Sequence, residues 1–124
     1  MSSDQSDIEL ERLVHELSNI LGYDKDILNG FILMLKNEDE LNEQKLAIKM
    51  GISVPSASNI LKKMLEDGLV IKGREGYLPL HPRLAISNLY RLSVSKDEKA
   101  RQYRVRVDAI TAMLVKLRES VQRW

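Results

Sequence analysis

The residues whose types and spacing suit a chemical role lie in one stretch, "GISVPSASNILKKMLEDGLV", residues 51–70. Its polar side chains recur at three- and four-residue steps, so a helix would place them on one face. These candidate residues are Ser56, Ser58, Asn59, Lys62 and Lys63. An asparagine amide can donate and accept together at the edge of an adenine, serine is a less selective reader, and lysines suit phosphates.

The apolar residues around this face indicate how it would be held. A helix over residues 43–50, a turn and a second helix from about residue 54 would bury one shared set of side chains. That set is Leu46, Ala47, Met50, Ile52, Ala57, Ile60 and Leu61. Gly51 gives the turn its permissive backbone, and Ser53 is suited to cap the second helix, with Pro55 tolerated in its first turn.

A short hairpin is predicted directly after the second helix, which ends at Gly68. "LVIK" and "GYLPL" read as strands around the glycine-bounded loop "GREG", and Pro79 keeps the second strand short or at an edge. Lys72 and Arg74 would then lie near the same phosphates as the helix lysines. Helix, helix, turn, helix and hairpin is the element order of a winged helix-turn-helix.

Helical patterns continue on both sides of this unit. Apolar periodicity predicts helices over residues 8–21 and 24–37, the second with a face broad enough for a central core helix. A further helix over residues 82–94 would start at His81-Pro82. We therefore predict a mainly α fold with a small β-hairpin, in three parts: an N-terminal amphipathic helix (1–22), a winged helix-turn-helix (23–81) and C-terminal dimerisation helices (82–124).

The last predicted helix, from residue 95 or 97 to the end, carries a heptad seam. Apolar residues follow steps of three and four from Ala100 onward: Tyr103, Val107, Ile110, Leu114, Leu117, Val121 and Trp124. Such a seam is typical of helices that pack against another helix. The partner would be the same helix of a second chain, the N-terminal helix, or both, and we expect the seven residues from Tyr103 on to form a homodimeric coiled coil.

Charge is distributed unevenly although the net charge is only +1. Residues 1–42 contain three Lys/Arg against ten Asp/Glu, residues 43–80 six against four, and residues 81–124 ten against four. One end therefore attracts a polyanion, or the two ends attract each other. The acidic N-terminal helix and the arginine-rich C-terminal helix both have apolar faces that must be buried, which favours their packing together. The C-terminal arginines then read as a solvated face rather than a DNA surface.

Catalytic and metal-binding interpretations have little support in the sequence. His15 lies beside Glu11 and Glu16, but a metal site needs more converging ligands. His81 fits a helix cap better than a ligand, and "GREG" is too short for a phosphate cradle. We expect no enzyme activity, no cofactor and no metal.

The composition favours a cytoplasmic protein. The chain has no cysteine, which excludes disulfides and thiolate metal sites. It has no apolar run near 18 residues, so no membrane span is expected. The polar, acidic start "MSSDQSD" resembles no signal peptide.

Residues 22–92 resemble the DNA-binding domain of the TrmB-type archaeal transcriptional regulators. The resemblance lies in "LAIKMGISVPSASNILKKMLEDGLV", the compact "KGREGYLPL" hairpin and the proline-started "HPRLAISNLYRL". It implies sequence-specific binding of duplex DNA as a dimer, with residues 54–67 in the major groove. The chain ends where many such regulators carry a sugar-binding domain. Its flanking helices are similar to those of MarR-type regulators and of small Lrs-like proteins, but the long basic wing of MarR-type proteins is absent.

Two functional classes follow from these features. The first is a homodimeric transcriptional regulator that binds double-stranded DNA. The alternative is a winged-helix module that docks onto a larger transcription or RNA assembly, because winged helices also bind proteins and a fold does not fix a function. The weakly basic reading face, with Glu66 and Asp67 at its far end, keeps this alternative open.

Overall fold

The computed structural model describes residues 2–121, and side chains from residue 7 to residue 121. It contains α1 (Ser2–Leu21), α2 (Lys25–Leu35), α3 (Glu43–Met50), α4 (Val54–Asp67), β1 (Val70–Lys72), β2 (Tyr77–Pro79), α5 (Pro82–Val94), α6 (Lys99–Gln102) and α7 (Arg104–Val121). The predicted mainly α fold with a winged helix-turn-helix is confirmed. None of the described helices is long and apolar enough to cross a membrane.

Local capping explains why the helices begin where they do. Asp24 Oδ1 accepts hydrogen bonds from the first amides of α2, and Asn42 Oδ1 accepts one from Lys45 N at 2.9 Å. Ser53 Oγ accepts the amide of Ser56, as predicted. His81 is the cap of α5, because its Nδ1 accepts the Arg83 amide at 3.1 Å. These bonds satisfy amides that a helix start leaves without an internal partner.

The wing is a two-stranded antiparallel sheet in which Ile71 faces Leu78 across the ladder. Leu41, in the loop before α3, adds an isolated bridge to Tyr77, with backbone hydrogen bonds of 3.0 and 2.9 Å in the two directions. The sequence pattern did not predict this third segment, because one bridging residue leaves no alternation to detect. The bridge fixes the base of the wing to the loop that precedes the helix-turn-helix.

Helix α2 forms the centre of the molecule. Phe31 and Leu35 are fully buried, and α2 packs against α1, α3, α4, β2 and α7. Its close approach to α4 uses Gly30, where an added Cβ would lie 3.3 Å from the Ile60 side chain. One continuous core runs from Val14 in α1 to Leu114 in α7. The three predicted segments thus share a single core.

The C-terminal end of α2 is capped by an arginine from α7. Arg118 is 7% exposed, and its Nη1 donates to the backbone oxygens of Leu35 at 3.1 Å and Asn37 at 2.7 Å, with Met34 O further away at 3.5 Å. Burial lowers the pKa of Arg118 from its usual value. The guanidinium still carries its charge beside the negative end of the helix dipole, where cations are favourable. Arg118 thereby fastens α7 to the central helix.

The acidic and basic ends of the chain do pack together, as the charge distribution predicted. Arg106 of α7 forms a two-pronged ion pair with Glu16 of α1, with Nε–Oε2 at 2.5 Å and Nη2–Oε1 at 2.8 Å. Its hydrogen bonds lower the pKa of Glu16 and raise that of Arg106. Lys99 Nζ also reaches Asn19 Oδ1 at 3.3 Å. Because both side chains of the ion pair are more than a third exposed, we expect it to orient α1 more than to stabilise it.

The long C-terminal helix was expected to be continuous, and that expectation was wrong. Tyr103, with φ −104° and ψ 23°, separates α6 from α7. Ala100 before the break and Val107 after it are both buried in the core, at 0% and 2% exposure. Tyr103, which lies between them in the heptad pattern, is left 50% exposed instead of facing a helix seam.

The heptad seam is largely filled by the chain itself. Val107, Ile110 and Leu114 are each at most 2% exposed within one copy, and α7 packs on α1, α2 and α5. These three side chains are thus covered within one copy, and their part in a dimer interface stays a prediction. Leu117 and Val121 are half-buried, and Trp124 lies outside the described residues.

We expect replacement of Arg118 by methionine to lower the free energy of unfolding by about 2–3 kcal/mol, because buried carbonyls lose a charged donor while the apolar volume is kept. Urea unfolding monitored by circular dichroism measures this change. Arg101→Met is the matched control, since that side chain is 63% exposed and pairs only with Glu98 at the surface. A loss as small for Arg118 as for Arg101 would contradict a capping role.

Candidate nucleic-acid interface

The exposed face of α4 is presented as the sequence predicted. Ala57, Leu61 and Met64 point into the core, each at most 1% exposed. The opposite side therefore faces solvent, with Asn59 and Lys62 exposed at its middle. Pro55 and Glu66 extend this face toward its two ends. A short polar side chain flanked by cations on a free helix face is the arrangement that fits a major groove.

The first turn of α4 is internally hydrogen-bonded. Ser53 Oγ accepts the Ser56 amide at 3.2 Å and donates its own proton to Ser56 Oγ at 2.9 Å. The hydroxyl proton of Ser56 therefore remains available to an acceptor outside the helix. Ser58, on the other flank, is half-buried. Of the two serines, Ser56 is the better placed for an external contact.

The two lysines of α4 differ in their surroundings. Lys62 is exposed and forms no ion pair with any residue that the structure describes. Lys63 Nζ lies 3.4 Å from Asp67 Oδ1, whose side chain is only 10% exposed. The nearby carboxylate offsets part of the positive charge of Lys63. Lys62 is thus the stronger candidate for a phosphate contact, a distinction that the sequence did not give.

The far end of α4 is fixed by two contacts from other parts of the chain. The Tyr23 hydroxyl donates to Asp67 Oδ2 at 2.5 Å, and Asn88 Nδ2 donates to Gly68 O at 2.8 Å. Burial first, and then the hydrogen bond to Asp67, raise the pKa of Tyr23, so its hydroxyl stays protonated and can donate. Gly68 lies at φ 80°, which favours glycine, and a Cβ there would lie 2.4 Å from Asn88 Nδ2 and would push that amide out of its hydrogen bond. The helix is therefore held at both ends.

The wing turn is closed by a carboxylate from the loop before α3. Glu40 Oε1 accepts the amides of Glu75 at 2.8 Å and Gly76 at 2.9 Å. Position 76 has no room for a side chain, because a Cβ there would lie 2.6 Å from the backbone oxygen of Leu41. No sequence motif joins Glu40 to residues 35 positions away, so only the three-dimensional structure reveals the contact.

Lys72 and Arg74 are both exposed on the wing, as predicted. The turn amides of Glu75 and Gly76 already donate to Glu40. The groups of the wing tip that could contact a phosphate are therefore the cationic side chains. Two further exposed lysines were missed: Lys45 and Lys49 on α3, four residues apart and beside Glu40 and Leu41 in one shallow depression. Their spacing of four residues on a predicted helix was a usable signal, since the first helix of such a motif crosses the DNA backbone.

Apolar side chains are also exposed in the helix-turn-helix and wing. The exposed fractions are 80% for Ile48, 40% for Val54, 43% for Leu65 and 48% for Ile71. Among the described residues, no three His, Cys, Asp or Glu side chains come close enough to hold a metal ion. The surface is therefore mixed, with hydrogen-bonding, cationic and apolar groups side by side.

The helix-turn-helix segment matches a known protein family. Residues 31–75 match the model of the MarR family, a span that runs from within α2 through the helix-turn-helix to the wing turn. No curated protein and no solved structure matches the chain. The match supports a winged helix-turn-helix DNA-binding transcription regulator. The TrmB-type resemblance is not confirmed, and the short wing did not prevent the match to the MarR family.

We expect Glu40→Ala to loosen the wing turn while leaving the core folded, because two backbone amides lose a charged acceptor. Hydrogen exchange at Glu75 and Gly76, followed by nuclear magnetic resonance, should accelerate by about tenfold or more. Glu38→Ala serves as the control, being an exposed carboxylate in the same loop. Unchanged exchange in the Glu40 variant would show that the turn holds without it.

Proposed function

We propose that this protein is a transcriptional regulator that binds specific sites on double-stranded DNA as a homodimer, with α4 in the major groove. The observation that carries the proposal is the free polar face of α4, rigidly held at both ends and bordered by the cationic wing. The match to the MarR family over the same segment supports it. Cytoplasmic location fits this role.

The reading and positioning roles divide by side-chain type. Asn59, exposed at mid-helix, is the proposed base reader, and Ser56 is its neighbour nearer the helix start. Lys62, Lys72 and Arg74 are the proposed phosphate contacts, joined by Lys45 and Lys49 on α3. Ser58 and Lys63 remain in the proposed interface at its edges, where burial and Asp67 reduce their contribution.

The exposed apolar residues favour a second candidate function. Ile48 and Ile71 lie near the wing and would suit a protein partner as well as thymine methyl groups. In that case the winged helix would dock onto a larger transcription or RNA assembly. Salt dependence separates the two functions. Binding to DNA phosphates releases counterions and weakens steeply with salt, whereas an apolar protein contact does not.

We expect Asn59→Ala to lose selectivity rather than general affinity. After the preferred duplex is selected from random DNA, the variant should bind it less tightly by about 1–3 kcal/mol, with little change on unrelated duplex. Titration by fluorescence anisotropy gives both affinities. An equal loss on both duplexes would assign Asn59 to the DNA backbone.

Arg74→Ala should show the opposite pattern, weakening both duplexes similarly and lowering the slope of affinity against salt by about one per lost phosphate contact. Arg12→Ala is the charge-matched control, because Arg12 is exposed on α1, away from the wing. If the two variants behave alike, the wing makes no specific phosphate contact.

A dimer with two DNA-binding units should require two half-sites that face the same side of the duplex. Sites for a two-fold reader place their halves one turn apart, about 34–36 Å, or a multiple of it. Inserting five base pairs turns one half-site to the opposite face of the duplex and should abolish tight binding. The same anisotropy titration measures this effect. Unchanged affinity after the insertion would indicate that only one DNA-binding unit of the dimer binds.

A further inference from the structure

Helix α7 carries a second stripe with heptad spacing, separate from the buried seam. Steps of four and three join Val105, Ala109, Ala112, Lys116 and Glu119. This stripe faces away from the core: Val105 is 85% exposed, and Lys116 and Glu119 are exposed. Ala109 and Ala112 at its middle are only partly covered, and their small side chains allow another helix to approach closely.

Two charged residues of opposite sign lie beside this stripe, at equal distances from Ala112. Asp108 and Lys116 are both exposed, four residues before and four residues after Ala112. They lie about 12 Å apart along the helix, too far to pair with each other. Among the described residues neither forms an ion pair within 4 Å. Each has room for a partner of opposite sign.

We propose that two copies of the protein pack α7 against α7 in antiparallel orientation, with the two-fold axis passing at Ala112. Reversal about Ala112 places Asp108 of each copy opposite Lys116 of the other, giving two interchain pairs. Parallel, in-register packing would instead place Asp108 against Asp108 and Lys116 against Lys116. Charge complementarity therefore selects both the occupant of the stripe and its direction.

This interface leaves the core of each copy intact. It uses the side of α7 opposite Val107, Ile110 and Leu114, so no buried side chain has to leave its place. The Arg118 cap keeps α7 fixed to α2. The proposal rests on the homodimer of the proposed function and adds its surface, direction and axis.

Single cysteines give a direct test, because the chain contains none of its own. Ala112→Cys places two thiols at the axis and should form a disulfide-linked dimer on mild oxidation of the full chain. Val105→Cys is the matched control. In the antiparallel arrangement the two residues at position 105 lie about 21 Å apart along the length of α7. This is far beyond the Cα separation of about 4.4–6.8 Å that a disulfide spans. Efficient cross-linking at Val105, or none at Ala112, overturns the proposal.

Charge reversal tests the pairing independently. Asp108→Lys alone should weaken dimerisation at least about tenfold in sedimentation equilibrium, because two attractions become repulsions. The double variant Asp108→Lys, Lys116→Asp should restore it, with circular dichroism confirming the fold of both. Failure of the double variant to recover overturns the antiparallel pairing.

The oligomeric state and DNA binding are measured on the same samples. A dimer that binds DNA but cross-links at Val105 overturns only the arrangement proposed for α7. A monomeric wild-type protein overturns the dimer and this interface together. A dimer with the expected cross-link but no affinity for duplex DNA supports the interface and rejects the DNA-binding function.

Discussion

The guanidinium of Arg118 at the end of α2 is the interaction on which the arrangement of the molecule depends. Helix α2 touches most of the other elements, and its terminal carbonyls have no partner within the helix. Arg118 supplies the donors and brings positive charge to the negative end of the helix dipole. The C-terminal helix and the winged helix-turn-helix are consequently parts of one body rather than two linked domains.

The position of α4 also depends on contacts with α2 and with other parts of the chain. Helix α4 rests on α2 at Gly30, and its end is tied to the rest of the chain by Tyr23 and Asn88. None of these contacts involves a residue of the proposed reading face. Orientation and recognition are thus assigned to different residues, so the face can change in sequence without loss of the framework.

Local signals in the sequence predicted much of this structure. Caps at Asn42, Ser53 and His81 and glycines at the ends of α3 and α4 gave helix boundaries that agree with those observed. The polar face of α4 also followed from periodicity. These features depend on neighbours within four residues, which a sequence displays directly.

Contacts between distant residues were not accessible in this way. Arg118 reads as one more surface arginine, and Glu40 as one of several acidic loop residues, until the fold brings each to its backbone partners. The heptad seam was predicted from its spacing, but spacing shows only that a helix face is buried and not which chain buries it. The break at Tyr103 has no signal in the sequence, because the heptad spacing continues across it.

The Arg118 cap also limits how such a regulator could be switched. A state in which α7 leaves α2 would lose the Arg118 hydrogen bonds and would also expose the buried side chains of Val107, Ile110 and Leu114. At about 1.5–3 kcal/mol for each apolar side chain, this state would be populated well under about 1% of the time. A ligand that favours this state must bind it at least about a thousandfold more tightly than the closed state to make it dominant. A weakly selective ligand would occupy the protein without changing its shape.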